Sequence, residues 1–126
     1  MRRLLRCLIG VAALSFNGLT FAADKACLME GSLTLMGKTT EIKDCLQNNG
    51  IDAARFKETC QSISDMTVAF GGPPAKITYM DACPKPAQAS CEGFFGKPMT
   101  SFYYKRDAEL LANSKKGCEA QGGKWK

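Results

Sequence analysis

The sequence predicts a small α+β domain, stapled by disulfide bonds, that combines a helical hairpin, a small antiparallel sheet and a C-terminal helix. Three observations support this fold class. Six of the seven cysteines remain after a predicted export signal is removed. Apolar residues recur at helical spacing near both ends of the remaining chain, and in the middle of the chain their period changes to two.

Residues 1–22 have the three parts of a cleavable signal peptide. A positively charged start precedes the apolar run Leu8–Phe16 and the small-x-small sequence Thr20–Ala22. The apolar run is too short to remain as a membrane-spanning helix, and no cysteine follows a lipid-attachment sequence. We therefore expect cleavage after Ala22 and a single exported domain, residues 23–126, periplasmic or secreted and without a membrane anchor.

Loss of the signal peptide also removes three arginines, which lowers the formal net charge from +5 to +2. So small a charge gives no reason to expect a nucleic-acid partner. Because an exported protein meets an oxidising compartment, we expect three disulfides. The chain has no histidine and no Cys-x-x-Cys pair, so we expect no metal site, no cofactor and no thioredoxin-type activity. The disulfide-forming cysteines are Cys27, Cys45, Cys60, Cys83, Cys91 and Cys118.

The first predicted elements are a short strand and a helical hairpin over Thr40–Ser64. Alternation of leucine with threonine over Leu33–Leu35 favours the strand. Thr40 is suited to be the N-cap of the first helix, which we expect to end at Asn49–Gly50. Asp52 then provides the N-cap of the second helix.

The middle of the chain predicts strands and loops. Met66–Phe70 and Lys76–Met80 alternate in polarity and are separated by the turn Gly71–Ala75, which predicts a β-hairpin. The proline-containing segment Cys83–Cys91 is typical of an exposed loop. Met99–Tyr104 is rich in β-forming residues and predicts a further strand.

The chain ends with a predicted helix and a glycine turn. Asp107 is the expected N-cap, and Gly122 and Gly123 supply the backbone freedom that ends a helix. Trp125, the single tryptophan, is then expected to fold back onto the core. The predicted core-facing stripe of this helix is Leu110, Leu111, Ser114 and Cys118.

Two segments, Cys45–Gly50 and Cys118–Gly123, share the pattern Cys-x-x-[Asn/Gln]-x-Gly. If they belong to half-repeats, each of which begins with an upstream cysteine, the pairing is Cys27–Cys45, Cys60–Cys83 and Cys91–Cys118. This is one of the many connectivities that six cysteines allow. If the shared pattern is only a helix C-cap, it does not constrain the pairing.

The tail Cys118-x3-Gly122-Gly123-x-Trp125 resembles the endings of small exported proteobacterial proteins that have no assigned activity. The resemblance covers roughly Ser90–Trp125. It implies no activity, cofactor or partner.

No catalytic constellation is recognisable in the sequence. Without histidine, the chain lacks the usual base that activates a serine or cysteine nucleophile. A carboxylate pair, as in glycoside hydrolysis, is the enzymatic alternative, although no spacing brings two acids together. We therefore predict no catalytic residue, and each candidate acid is equally explained as a surface or capping residue. The candidates are Asp81, Glu92, Asp107 and Glu109.

The segment Ser101–Arg106 is the best candidate for an interaction surface, because aromatic residues beside basic residues are typical of protein interfaces. Its alternation also fits a strand in which Phe102 and Tyr104 face the core and Tyr103 packs at the edge. The candidate interface is Tyr103, Lys105, Arg106, Lys115 and Lys116, with Lys124 and Lys126 nearby.

These features favour a non-catalytic protein-binding module of the inhibitor, immunity or envelope-accessory kind. Its expected partner is another envelope or secreted protein. The alternative is a small carboxylate-dependent envelope hydrolase.

Overall fold

The computed structural model describes residues 24–126, so the predicted signal peptide lies outside the described residues. Six antiparallel strands form one sheet in the order β3-β1-β2-β5-β4-β6, and two helices pack on it. The α+β class and the three disulfides are confirmed, whereas the helical hairpin is not found. The elements are β1 Ala26–Leu35, β2 Lys38–Asn48, α1 Ala53–Ala69, β3 Lys76–Met80, β4 Ala89–Glu92, β5 Met99–Tyr103, α2 Ala108–Ala120 and β6 Lys124–Trp125.

Strand β2 replaces the first helix of the predicted hairpin. It pairs with β1 on one side and with β5 on the other. The neighbouring residues Cys45 and Leu46 are both buried, because the sheet is covered on both faces at this point. A strand that is buried on both faces loses the alternation that identifies strands, and its apolar spacing then imitates a helix.

The predicted strand Met66–Phe70 is also wrong, because helix α1 continues through Ala69. Within this stretch Thr67 is buried, and its hydroxyl donates to the carbonyl oxygens of Ser64 and Pro73. These contacts hold the last turn of the helix despite the β-forming composition of the segment. Lys76–Met80 is strand β3, as predicted, but it pairs with β1.

The caps predicted for the two helices that form are confirmed, whereas Thr40, the cap predicted for a further helix, lies in β2. The Asp52 carboxylate accepts from the backbone N–H of Arg55 at the start of α1. In the same way, the Asp107 carboxylate accepts from the backbone N–H of Leu110 at the start of α2. These bonds satisfy N–H groups that have no partner within the helix. The strand predicted from Met99 is β5.

Both helices lie on the same face of the sheet, as the strand register shows. Cys27 is opposite Leu46, Leu46 is opposite Ser101, and Ser101 is opposite Cys91, so these four side chains share a face. Cys27 is bonded to α1 and Cys91 is bonded to α2. Cys45 points to the opposite face, where the loop after β3 covers a second small core.

The disulfides are Cys27–Cys60, Cys45–Cys83 and Cys91–Cys118. The predicted Cys91–Cys118 pair is confirmed. The predicted pairs Cys27–Cys45 and Cys60–Cys83 are wrong, because Cys27 and Cys45 lie on adjacent strands but project to opposite faces. The half-repeat on which they depended assumed a helix where β2 lies.

Candidate functional site

An open groove of about 310 Å3 lies between α1 and α2. Its floor is the face of the sheet that both helices cover. Two smaller hollows of about 130 and 140 Å3 adjoin it and share Asp44 with it. The floor includes Met29, Leu46 and Tyr103, and the sides include Ile63 and Met66 from α1 and Ser114 and Gly117 from α2.

Large apolar side chains surround this groove without being enclosed. Met66, Phe70 and Phe95, which line the groove or an adjoining hollow, are 51, 52 and 49% exposed. Exposed apolar side chains that cluster around a concave surface indicate a contact site, whereas scattered ones do not. The cluster is therefore the strongest surface feature of the groove.

Phe95 is placed at the groove by an unusual backbone conformation. It lies in a short 3-10 turn, Phe94–Gly96, and its φ of +55° is left-handed. Such a conformation is rare for a bulky residue and costs free energy of order 1 kcal/mol or more. Its ring contacts that of Phe94, with 4.3 Å between the ring centroids. The fold thus holds an aromatic ring half in solvent at some energetic cost.

An ion pair between Asp44 and Arg106 is the polar part of the groove. Arg106 Nη2 donates to Asp44 Oδ2 at 2.7 Å, and Nε donates to Oδ1 at 3.4 Å. Arg106 Nη1 donates to the hydroxyl of Ser114 on α2 at 2.6 Å. The guanidinium also lies 4.3 Å from the ring centroid of Tyr103. Arg106 therefore connects β2, β5 and α2.

This ion pair is partly buried, with side-chain exposures of 16% for Asp44 and 27% for Arg106. Burial raises the pKa of Asp44 above its ordinary value, although the hydrogen bond and positive charge of Arg106 act in the opposite direction. Burial likewise raises the pKa of Tyr103. A carboxyl with a raised pKa in a cleft is a feature of some active sites. Here both carboxylate oxygens accept from Arg106, so the geometry is that of a structural ion pair.

The structure brings part of the predicted interface together. Tyr103 is 4% exposed and stacks on Trp125, with 5.6 Å between the ring centroids, while Arg106 faces the groove. Lys105 is exposed and donates to the Glu41 carboxylate at 2.9 Å. Lys115 and Lys116 are exposed on α2 and are not among the residues that line the groove.

Successive side chains of Ser101–Arg106 alternate between the two faces of the sheet, as predicted. The face that is more deeply buried is that of Tyr103, however, and not that of Phe102 and Tyr104. Tyr103 faces the helices and is buried. Phe102 and Tyr104 are half-buried on the opposite face, near Cys83. The hydroxyl of Tyr104 donates to the backbone of the covering loop there, at the carbonyl of Pro84.

Trp125 folds back onto the core, as predicted, where it is half-buried against the cluster that contains the Cys91–Cys118 disulfide. Trp125 lies in β6 opposite Cys91. A Cβ at Gly123 would lie 2.8 Å from the sulfur atoms of both Cys91 and Cys118. Gly123 is therefore required by close approach, and Gly122 by its φ of +78°.

The four candidate acids of the hydrolase alternative take other roles or lie in solvent. Asp107 caps α2, and Glu92 accepts from Lys126 at 2.7 Å. Asp81 and Glu109 are exposed.

Sequence patterns pointed to Tyr103 and Arg106 but not to the exposed apolar residues of the groove, Met66 and Phe95. Met66 was predicted to start a strand. The only local signal for Phe95 is its position in a short aromatic pair between Gly93 and Gly96.

No family model, curated protein or solved structure matches this chain. Within residues 24–126, no helix is both long and apolar enough to cross a membrane. In the same residues, no three potential metal ligands come together.

Proposed function

We propose that this protein is an exported, non-catalytic binding module that holds an apolar segment of another exported protein in the groove between α1 and α2. The observation that carries the proposal is the set of half-exposed apolar side chains around the groove, Met66, Phe70 and Phe95. Three disulfides support export, because such bonds persist in oxidising compartments.

The chemistry of the groove favours an apolar partner surface over a polar one. Half of the residues that line the groove are methionine, leucine, isoleucine or aromatic residues. Its charged residues, Asp44 and Arg106, already bind each other, and Ser114 accepts from Arg106. A polar ligand would have to replace these bonds, whereas an apolar side chain gains by leaving water. Buried apolar anchors of this kind carry most of the energy of many protein interfaces.

Phe95 supports the same conclusion independently. A left-handed backbone at a phenylalanine is unfavourable, and the ring remains half-exposed, so the isolated domain does not recover this cost by burial. A partner that covers the ring would recover it. The hydrolase alternative has no comparable observation in its favour.

The test uses two apolar residues of α1 that are equally exposed. Met66 lines the groove and is 51% exposed; Val68 is 49% exposed and is not among the groove residues. A photo-crosslinking amino acid is placed at each position in turn, and the protein is irradiated in cells that export it. We expect a defined cross-linked protein from position 66 and none from position 68.

The cross-linked partner, once purified, provides the quantitative test. Met66→Ser should weaken its binding at least about tenfold, whereas Val68→Ser should leave the affinity within about twofold. Equal cross-linking at both positions, or equal affinity of both variants, would contradict the proposal. Both residues are half-exposed, so neither variant should unfold the domain.

A further inference from the structure

We infer that α2 is the adjustable side of the groove: its two ends are fixed, and the hydrogen bond from Arg106 to Ser114 holds its middle against the sheet. This inference concerns the regulation of the same groove, so its consequence for binding rests on the proposed function. The movement of α2 away from the sheet does not rest on that function, and it can be tested on the isolated protein.

The two ends of α2 are fixed by different bonds. At the C-terminal end, Cys118 is bonded to Cys91 of β4. At the N-terminal end, the backbone N–H of Arg106 donates to the side-chain oxygen of Gln88 at 2.8 Å, and the Gln88 amide donates to the Arg106 carbonyl at 3.0 Å. Cys91 lies in β4 and Gln88 directly precedes β4, so both bonds attach α2 to the same part of the sheet.

The middle of α2 is attached much more weakly. Among the described side chains of this helix, Cys118 is the only buried one. Leu110, Leu111 and Ser114 face the sheet and are partly buried, and Leu111 packs against the core around Tyr103. Ser114 makes the one side-chain hydrogen bond that joins the middle of α2 to the rest of the described structure, and that bond comes from Arg106.

The geometry of Arg106 makes this bond strong enough to matter. Both the Asp44 carboxylate and the Tyr103 ring position its guanidinium, so the group that reaches Ser114 has little freedom. A hydrogen bond from a charged donor contributes more than one between neutral groups. Loss of this bond should increase the population in which the middle of α2 leaves the sheet, which would widen the groove along that side.

The sequence provides a direct probe, because Lys115 and Lys116 lie in the middle of α2 and Lys57 lies in α1. A lysine-specific protease cleaves a helix only after the helix opens locally, so the cleavage rate reports the open population. The experiment measures cleavage at Lys115 and Lys116, with Lys57 as the internal measure of global unfolding. The test variants are Ser114→Ala and Arg106→Gln. The control is Glu30→Gln, which removes an ion pair with Lys43 on the face of the sheet opposite the helices.

Both test variants should increase cleavage at Lys115 and Lys116 about tenfold, without a matching increase at Lys57. Alanine has a higher helix propensity than serine, so a propensity effect alone would slow cleavage in Ser114→Ala. The control should cleave like the wild type. Unchanged or slower cleavage in α2, or an equal increase at Lys57, would overturn the inference. If the cleavage result holds but cross-linking at position 66 fails, the proposed function fails and the movement of α2 stands.

Discussion

The two helices lie on the same face of the same sheet, but they are held there in different ways. Helix α1 buries Phe56, Cys60, Ser64 and Thr67 over three turns, and a disulfide joins its middle to β1. Helix α2 buries Cys118, close to its C-terminal end. α1 is therefore part of the core along its length, whereas α2 is attached mainly at its ends.

This difference shows how a small domain can combine stability with an open binding surface. Disulfides and the contacts of α1 provide the stability. The interior of α2 then buries no side chain fully, although Leu111 packs against the core around Tyr103, and the space between the helices remains a groove. Residues that would close the groove in a more tightly packed domain, such as Met66 and Phe95, stay half-exposed.

The largest expected difference in stability is between truncation of a sheet-facing side chain in α1 and truncation of one in α2. Phe56→Ala should lower the free energy of unfolding by about 3–5 kcal/mol, because Phe56 is fully buried. Leu111→Ala, in the partly buried stripe of α2, should lower it by only about 1 kcal/mol. Urea unfolding of both variants measures the difference. Equal losses would show that α2 is as much a part of the core as α1.

A smaller effect is expected from alanine substitution of two glycines. Gly123 packs against the disulfide that fixes α2, and Gly117 lies in α2 at a position with open space around it. Gly123→Ala should destabilise the protein by about 1–3 kcal/mol, because the new Cβ would meet the Cys91–Cys118 sulfur atoms and the Cys118 carbonyl within 2.9 Å. Gly117→Ala should instead stabilise it by about 0.5–1 kcal/mol, because a Cβ there meets nothing within 4 Å and alanine favours the helix. Thermal unfolding gives the sign of each change. Destabilisation by Gly117→Ala would mean that α2 is tightly packed around Gly117.

The smallest expected effect is on how stability depends on pH, and it involves two ion pairs. Asp44–Arg106 lies beneath α2, and Glu41–Lys105 is exposed to solvent. Burial raises the pKa of Asp44, so the folded protein binds a proton more readily than the unfolded chain. Relative to Asp44→Asn, the wild type should gain stability as the pH falls from neutrality through the folded pKa towards the ordinary value of 3.8.

Glu41 should show the opposite sign. A hydrogen bond from Lys105, together with its charge, holds the pKa of Glu41 below the ordinary value of 4.5. Its contribution is present above that value and is lost as the pH falls through the lowered folded pKa. Urea unfolding of Asp44→Asn and Glu41→Gln beside the wild type, between about pH 7 and pH 3, checks both signs. Slopes of the same sign would contradict the burial of Asp44.

The sequence predicted the N-terminal caps of the two helices that form, although the same kind of signal at Thr40 falls within β2. Asp52 and Asp107 cap their helices as predicted, because a cap depends on only a few neighbouring residues. The tail turn and the Cys91–Cys118 disulfide were also predicted from short patterns.

The predictions that failed depended on residues far away in the chain. Cys45 and Leu46 are buried on opposite faces by elements on either side of the sheet, so β2 showed no alternation. The groove likewise depends on residues that are far apart in the chain. It exists because α1 and α2 leave space between them over the sheet, and no short pattern around Met66 or Phe95 encodes that spacing.

Native-state hydrogen exchange of the wild-type protein, measured amide by amide at increasing denaturant, tests the contrast between the helices most directly. We expect the amides of α1 to exchange through global unfolding and to share its denaturant dependence. The amides in the middle of α2, around Ser114, should exchange through a local opening of lower free energy that depends little on denaturant. If the amides of both helices follow the same global dependence, α2 is held as firmly as α1, and the proposed difference between the helices does not exist.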